Sequence, residues 1–258
     1  MLPDMTVPGP DSAGFSPLRL HAVALGLIAV AVSIVLVALV FLLAHQRTTG
    51  VLSQNLHTVF WYFDVGREYN MATWYNSGLW LVMGVLSAAI ALARPVRRRA
   101  WWLLTAVALF ASVDEYLEVH ERLDLPGNRL AEHLPVDIGF TWVLLGGPIA
   151  LVIALLLLRL VLSLPARARN GILLGGALFL LGALGVESVN GMILARNDHV
   201  VDNAFLYGTM LEELLEMSGV AVAFASLLSL VEHDPARGIL RLDPALLPRV
   251  TRAVDSPR

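Results

Sequence analysis

An apolar run that ends in a dense group of acids constrains this chain more than any other feature. No residue from Ala100 to Val113 is charged, which is typical of a helix that crosses a membrane. Four carboxylates and a histidine follow directly: Asp114, Glu115, Glu118, His120 and Glu121. Ionisable groups at such a position usually face a bundle interior or a water-filled cavity, so they are candidates for function.

The composition of the whole chain agrees with a membrane protein. Hydrophobic residues make up 57% of the 258 residues and charged residues only 15%, a balance too apolar for a soluble domain of this size. Cysteine is absent, which excludes disulfides and thiolate metal sites. All 18 basic residues are arginine, so chemistry that needs a lysine Schiff base is also excluded.

Hydropathy predicts an all-α, polytopic integral membrane bundle of about six transmembrane helices. Residues 1–18 are expected to be a disordered leader, 19–231 the transmembrane domain, and 232–258 a polar cytoplasmic tail. The predicted spans cover residues 20–43, 74–92, 100–121, 139–162, 171–194 and 203–231.

The distribution of arginine predicts how the bundle is oriented. With six spans, most arginines fall on one side: Arg94, Arg97, Arg98, Arg99, Arg159, Arg167, Arg169, Arg237, Arg241, Arg249 and Arg252. The positive-inside rule makes that side, and both termini, cytoplasmic in a multi-pass protein of the cell membrane. The acids then lie near the extracytoplasmic face.

Two further spans carry acids that reach the same predicted depth. Glu187 is a lone acid in a glycine-rich span, and Glu212, Glu213 and Glu216 lie early in the last one. In regular helices, Asp114, Glu118 and Glu121 share one face, as do Glu212 and Glu216. We therefore expect one polar site inside the bundle.

Carboxylates that share a site cannot all ionise without a cation. Shared protons, pairing with outer arginines, or a bound metal could each neutralise them. Carboxylates with one imidazole suit a divalent metal such as Fe, Mn or Zn. The expected ligands or supporting groups are Asp114, Glu115, His120, Glu121, Glu187, Glu212, Glu213 and Glu216.

Plainer interpretations of the same residues remain open. His120 and Glu121 lie where a charge is often simply solvated, Glu115 and Glu118 could hydrogen-bond to neighbouring helices, and Glu187 could be a structural partner. The motifs of zincins, ferritin-like di-iron bundles, serine hydrolases and phosphate-binding loops are absent. No catalytic residue is assigned, and nucleic-acid binding is not expected.

The motifs resemble those of an uncharacterised family of bacterial multi-pass membrane proteins. They read FDxxxExN from Phe63, SxDExxxxHE from Ser112, GxE from Gly185 and LEExxEM from Leu211. The resemblance spans nearly all of the membrane region, omits Glu118, and implies a six-span fold without a known activity. It adds Asp64, Glu68 and Asn70 as a substrate-binding or lid segment beside the site.

Three functions are compatible with this sequence. The first is a metal-binding protein, and potentially a metal-dependent enzyme that hydrolyses or oxidises a lipid-soluble small molecule in the bilayer. The second is a proton- or cation-coupled transporter that uses the acids as a relay. The third is a structural or accessory membrane subunit whose polar core fixes helix register.

Overall fold

The computed structural model describes residues 16–17, 20–135 and 138–248. Most of the predicted leader, 1–18, and the last ten residues of the predicted tail lie outside the described residues. The described part of the chain is mostly helical. Its α-helices are α1 Leu20–Gln46, α2 Gly50–Trp61, α3 Met71–Leu92, α4 Arg98–Leu117, α5 Asp124–Ala131, α6 Val143–Leu162, α7 Ala166–Leu180, α8 Glu187–Arg196 and α9 Asn203–Leu228.

Tighter and wider turns interrupt these helices. A 3₁₀ turn, His120–Leu123, links α4 to α5, and another, Pro244–Leu246, lies near the end of the described chain. A π-helical segment, Leu181–Val186, joins α7 to α8, so Ala166–Arg196 forms one helical stretch of 31 residues.

Five stretches of the described chain are long and apolar enough to cross a membrane. They are 21–46, 71–92, 98–117, 143–162 and 166–196. Helix α9 is long enough as well, at 26 residues, but Glu212, Glu213 and Glu216 make it less apolar. The chain is therefore a membrane protein by helix length and composition.

Helix α9 lies at the centre of the packing, in contact with α1, α3, α7 and α8. Its closest neighbour is α7, because Gly175 and Gly219 face each other at the crossing. A Cβ at Gly219 would lie 2.6 Å from the Gly175 carbonyl oxygen. Small residues allow this approach, and close van der Waals packing drives helix association in lipid.

Helices α3 and α4 form an antiparallel pair joined by reciprocal serine hydrogen bonds. The Ser77 hydroxyl donates to the Ser112 carbonyl oxygen at 2.7 Å, and the Ser112 hydroxyl donates to the Ser77 carbonyl oxygen at 2.9 Å. In an apolar medium such pairs satisfy polar groups that would otherwise be costly to bury.

A small antiparallel sheet, which the sequence did not lead us to expect, lies at the end of the bundle where α9 finishes. Strand β2 (Val231–Asp234) pairs with β3 (Ile239–Leu242) and with β1 (Ser16–Pro17), with Ser16 opposite His233. The prediction of a purely α-helical chain is therefore incomplete. A turn that uses Gly238 at φ +65° allows the hairpin, because glycine has no Cβ to clash there.

The loops also contain helices that hydropathy alone did not predict. Helix α2 occupies what the sequence indicated as an irregular connector, and α5 forms over a stretch with Pro126, Gly127 and Asn128. Both are short, 12 and 8 residues, and therefore depend on packing more than on intrinsic propensity.

Candidate functional site

The acids of three separate helices meet at one end of the bundle, where α4 ends, α8 begins and the first half of α9 passes. Glu213 is within electrostatic range of Glu115, Glu187 and Glu212, and Glu216 is within range of the same group. All five side chains are half-buried. We call Glu115, Glu187, Glu212, Glu213 and Glu216 the acid cluster.

The end of α4 differs from the regular helix that the sequence predicted. Helix α4 stops at Leu117, because Glu118 takes a left-handed conformation at φ 50° and its N–H donates to the Asp114 carbonyl oxygen at 2.8 Å. The prediction that the helix reaches Glu121, with Asp114, Glu118 and Glu121 on one face, is wrong. His120 and Glu121 lie instead on the following 3₁₀ turn.

Asp114 holds that turn in place. One carboxylate oxygen accepts the His120 backbone N–H at 2.8 Å, and the other is 3.0 Å from the His120 Nδ1. A carboxylate that competes for backbone and side-chain donors in this way favours a helix end over another helical turn. Asp114 therefore fixes the orientation of the His120 ring.

The charge state of His120 follows from the same contact. Burial by itself would lower the pKa of His120, but the hydrogen bond and the negative charge of Asp114 outweigh it and raise the pKa to about 9. The imidazole is thus protonated at neutral pH in the metal-free protein, and its charge partly offsets the neighbouring carboxylates.

Two carboxylates outside the spans are within electrostatic range of the acid cluster, Glu68 of Glu115 and Glu121 of Glu187. Burial raises the pKa of Glu68 to about 7, although a hydrogen bond from the Thr73 hydroxyl at 2.9 Å opposes the shift. Burial also raises the pKa of Glu121, and the nearby charge of Glu118 adds to the effect. Glu68 therefore titrates near neutral pH.

Trp142 connects His120 to the acid cluster, and sequence reasoning missed it. Its ring centre is 4.6 Å from that of His120, and its indole Nε1 donates to Glu187 Oε1 at 2.7 Å. Asp124 positions it by accepting the Trp142 backbone N–H at 2.6 Å and the Thr141 hydroxyl at 2.8 Å. A tryptophan at the start of a span looks like an interfacial anchor, so only the tertiary contacts reveal this role.

Two asparagines on neighbouring helices complete the polar interior. Asn190 Nδ2 donates to Glu212 Oε2 at 3.0 Å. Asn76, which is 0% exposed, lies beside the Glu115 carboxylate, although the two side chains fall outside strict hydrogen-bond geometry. A buried amide costs on the order of 1–3 kcal/mol unless it is paired, so Glu115 is the group that stabilises it.

The π-helical segment brings the backbone of the fifth span unusually close to the acids. A Cβ at Gly182 would lie 2.8 Å from both the Glu216 Cγ and the Glu212 carbonyl oxygen. Only glycine fits there, and wider turns of this kind are frequent at functional sites. The segment directly precedes Glu187, whose position depends on it.

The three residues proposed for the lid have different surroundings. Asp64 pairs with Arg67 Nε at 3.0 Å. Asn70 caps α3, accepting the Ala72 N–H at 2.9 Å, so its side chain is committed to the backbone. Glu68 alone is within electrostatic range of Glu115 and His120.

No arginine neutralises the acid cluster within the described ranges. The ion pairs there are Arg67–Asp64, His120–Asp114, Arg167–Asp243, Arg237–Asp234 and Arg241–Glu232. Among the same residues, no three His, Asp or Glu side chains are already arranged as a metal site. The cluster therefore needs shared protons or a cation, and ligation of a metal would require its side chains to move together.

Comparison with known families assigns the chain. A family described as a domain of unknown function, DUF8692, matches residues 22–230. The chain belongs to this family. The match includes every spanning helix and every residue of the acid cluster. No curated protein and no solved structure matches the chain.

Proposed function

We propose that this DUF8692 protein is a six-span membrane protein that binds a divalent metal ion, Fe, Mn or Zn, in the acid cluster near the extracytoplasmic face. The observation that carries the proposal is a cluster of five half-buried carboxylates with no arginine partner among the described residues. Several unpaired carboxylates in a low-dielectric bundle are costly, and a divalent cation offsets that cost.

The roles of the surrounding residues follow from their contacts. Glu115, Glu187, Glu212, Glu213 and Glu216 would supply carboxylate ligands, with Glu121 at the rim. Asp114 accepts the Nδ1 hydrogen of His120, which leaves Nε2 as the ligand atom once its proton is displaced. Carboxylate–imidazole–metal arrangements of this kind are common in metalloproteins, where the carboxylate orients the ring.

Two neighbours would hold the carboxylate ligands in place. The buried amide of Asn76 lies beside Glu115 and would orient it. Trp142 would keep Glu187 in place through the 2.7 Å bond from its indole nitrogen.

A metal here would also permit catalysis on a lipid-soluble substrate, by hydrolysis or oxidation. The chain offers one well-placed general base, Glu68, since its pKa of about 7 lies near the working pH. We expect Glu68→Gln to retain the metal, because Glu68 lies outside the acid cluster on the segment before α3, and to lose any turnover that needs a proton acceptor.

Transport is the weaker alternative because the only polar groups that the described helices bury beyond the acids are hydroxyls, those of Ser87, Thr105 and Ser226, and no titratable side chain. After Glu216, α9 buries the apolar residues Val220, Ala221 and Leu227. Before its acids, α4 buries Trp101 and Ala108. A relay needs polar groups through the full thickness. Proton flux into proteoliposomes that Glu213→Gln abolished would favour transport over a metal site.

The deciding experiment is elemental analysis of detergent-purified protein. We expect about one metal ion per chain in the parent, as one site predicts, and none in the variant Glu187→Gln/Glu213→Gln. Glu232→Gln is the matched control, because it makes the same chemical change at the sheet end, and it should keep the metal. A parent without stoichiometric metal, and without metal-dependent thermal stabilisation, would refute the proposal.

A further inference from the structure

Two histidines lie close together in the hairpin formed by α1 and α2, outside the acid cluster. His45 is in the last turn of α1 and His57 is on α2, and their ring centres are 5.0 Å apart with planes inclined by 54°. Both border a cleft of about 480 Å³, which is lined by His45, Gly50, Ser53, Gln54, His57 and Thr58.

The contacts of His45 determine which ring nitrogen is free. Its Nδ1 is 3.1 Å from the Ser53 carbonyl oxygen and 2.9 Å from the Ser53 hydroxyl. A carbonyl oxygen only accepts, so Nδ1 carries the hydrogen, and the hydroxyl is free to donate to the His45 carbonyl oxygen at 3.4 Å. The lone pair is then on Nε2, as in histidines that bind metals through Nε2.

The spacing of the two rings fits a shared ion. Two imidazoles bound at about 2.0–2.1 Å to one tetrahedral metal have ring centres roughly 5 Å apart. The observed separation of 5.0 Å matches this value. Gln54 and Thr58 line the same cleft and leave room for water at the remaining positions.

We propose that His45 and His57 form a second metal site, for a transition-metal ion that prefers imidazole nitrogen, Zn²⁺ or Cu²⁺. Nitrogen ligands select these ions over those that prefer carboxylate oxygen alone. The bound ion joins the end of α1 to α2. Gln46, the residue after His45, donates from Nε2 to Asn203 Oδ1 at 2.8 Å. The bound ion therefore also stabilises the contact between the end of α1 and the start of α9.

This site shares no residue with the acid cluster, so the two proposals succeed or fail independently. The test is electron paramagnetic resonance of tag-free protein with one equivalent of Cu²⁺, in a Glu187→Gln/Glu213→Gln background that removes the first site. Each coordinated imidazole nitrogen splits the copper signal, so the spectrum counts the histidine ligands.

We expect coupling to two nitrogens in that background and to one after His57→Gln, with Cu²⁺ affinity reduced by roughly tenfold or more. His57 is exposed, so its replacement does not threaten folding. His133→Gln is the matched control, since His133 is also exposed and has Nδ1 3.0 Å from a backbone carbonyl, and it should change nothing. No copper binding, or two-nitrogen coupling that survives His57→Gln, would overturn the proposal.

Discussion

The two ends of the bundle treat their acids in opposite ways. At the sheet end, each described acid has an arginine: Asp243 pairs with Arg167, Asp234 with Arg237 and Glu232 with Arg241. At the other end, five glutamates share a half-buried space that no described arginine enters. One end is neutralised by the chain itself, and the other requires protons or a cation from outside.

That difference separates structural charges from functional ones. Two of the sheet-end pairs join separate segments: Arg167 of α7 pairs with Asp243 after β3, and Arg241 of β3 pairs with Glu232 of β2. The acid cluster contains no ion pair among the described residues, and its members repel one another when they are ionised. Four predictions test the contrast.

The largest effect is expected where the backbone itself makes room for the acids. Gly182→Val would place a Cβ and two methyls against Glu216 and the Glu212 backbone, and we expect a loss of about 2 kcal/mol in the free energy of unfolding. Unfolding in detergent and metal content measure the result. Gly176→Ala is the control on α7, because no heavy atom lies within 4 Å of its Cβ position. Equal loss in both variants would contradict the close fit at Gly182.

Removal of one charge at each end should give opposite results. Asp243→Asn weakens the pair with Arg167 and should cost about 1 kcal/mol, a modest value because the arginine is partly exposed. Glu213→Gln relieves repulsion, so metal-free stability should stay within about 0.5 kcal/mol of the parent or rise. Denaturation with a chelator present measures both. If Glu213→Gln destabilised more than Asp243→Asn, the acid cluster would be a structural network.

Loss of the indole hydrogen bond should have an effect confined to the acid end. Trp142→Phe keeps the ring contact with His120 but leaves Glu187 without its 2.7 Å donor, which should lower metal affinity by roughly tenfold. Isothermal titration with Mn²⁺ or Zn²⁺ measures this. Trp102→Phe, an exposed tryptophan on α4, should leave the affinity unchanged.

The smallest effect concerns pH in the absence of metal. The pKa of His120 is about 9 in the folded state and 6.5 unfolded, so its stabilising contribution is complete below pH 6.5 and is lost as pH rises to about 9. The pKa of Glu68 is raised from 4.5 unfolded to about 7 in the folded state, so its contribution to stability is lost as the pH rises from 4.5 to about 7. The melting temperature should therefore fall by a few degrees from pH 6.5 to 9, and fall less in His120→Gln. An unchanged slope in that variant would show that His120 does not control this range.

Sequence reasoning identified the membrane character because apolar runs of spanning length need no tertiary information. It also selected Glu115, Glu187, Glu212, Glu213 and Glu216, since acids in apolar spans stand out against their neighbours. The structure brings these five together at one end of the bundle.

The tertiary structure alone decided how the site is built. Helix α4 ends at Leu117 because Asp114 accepts hydrogen bonds from His120. The close fit at Gly182 depends on α9, which packs against it. Trp142 and Asn76 carry no unusual local signal. Only the packed structure places Trp142 against Glu187 and Asn76 against Glu115. Hydropathy is a property of segments and can be read along the chain, whereas the partner of a buried polar group is set by long-range contacts.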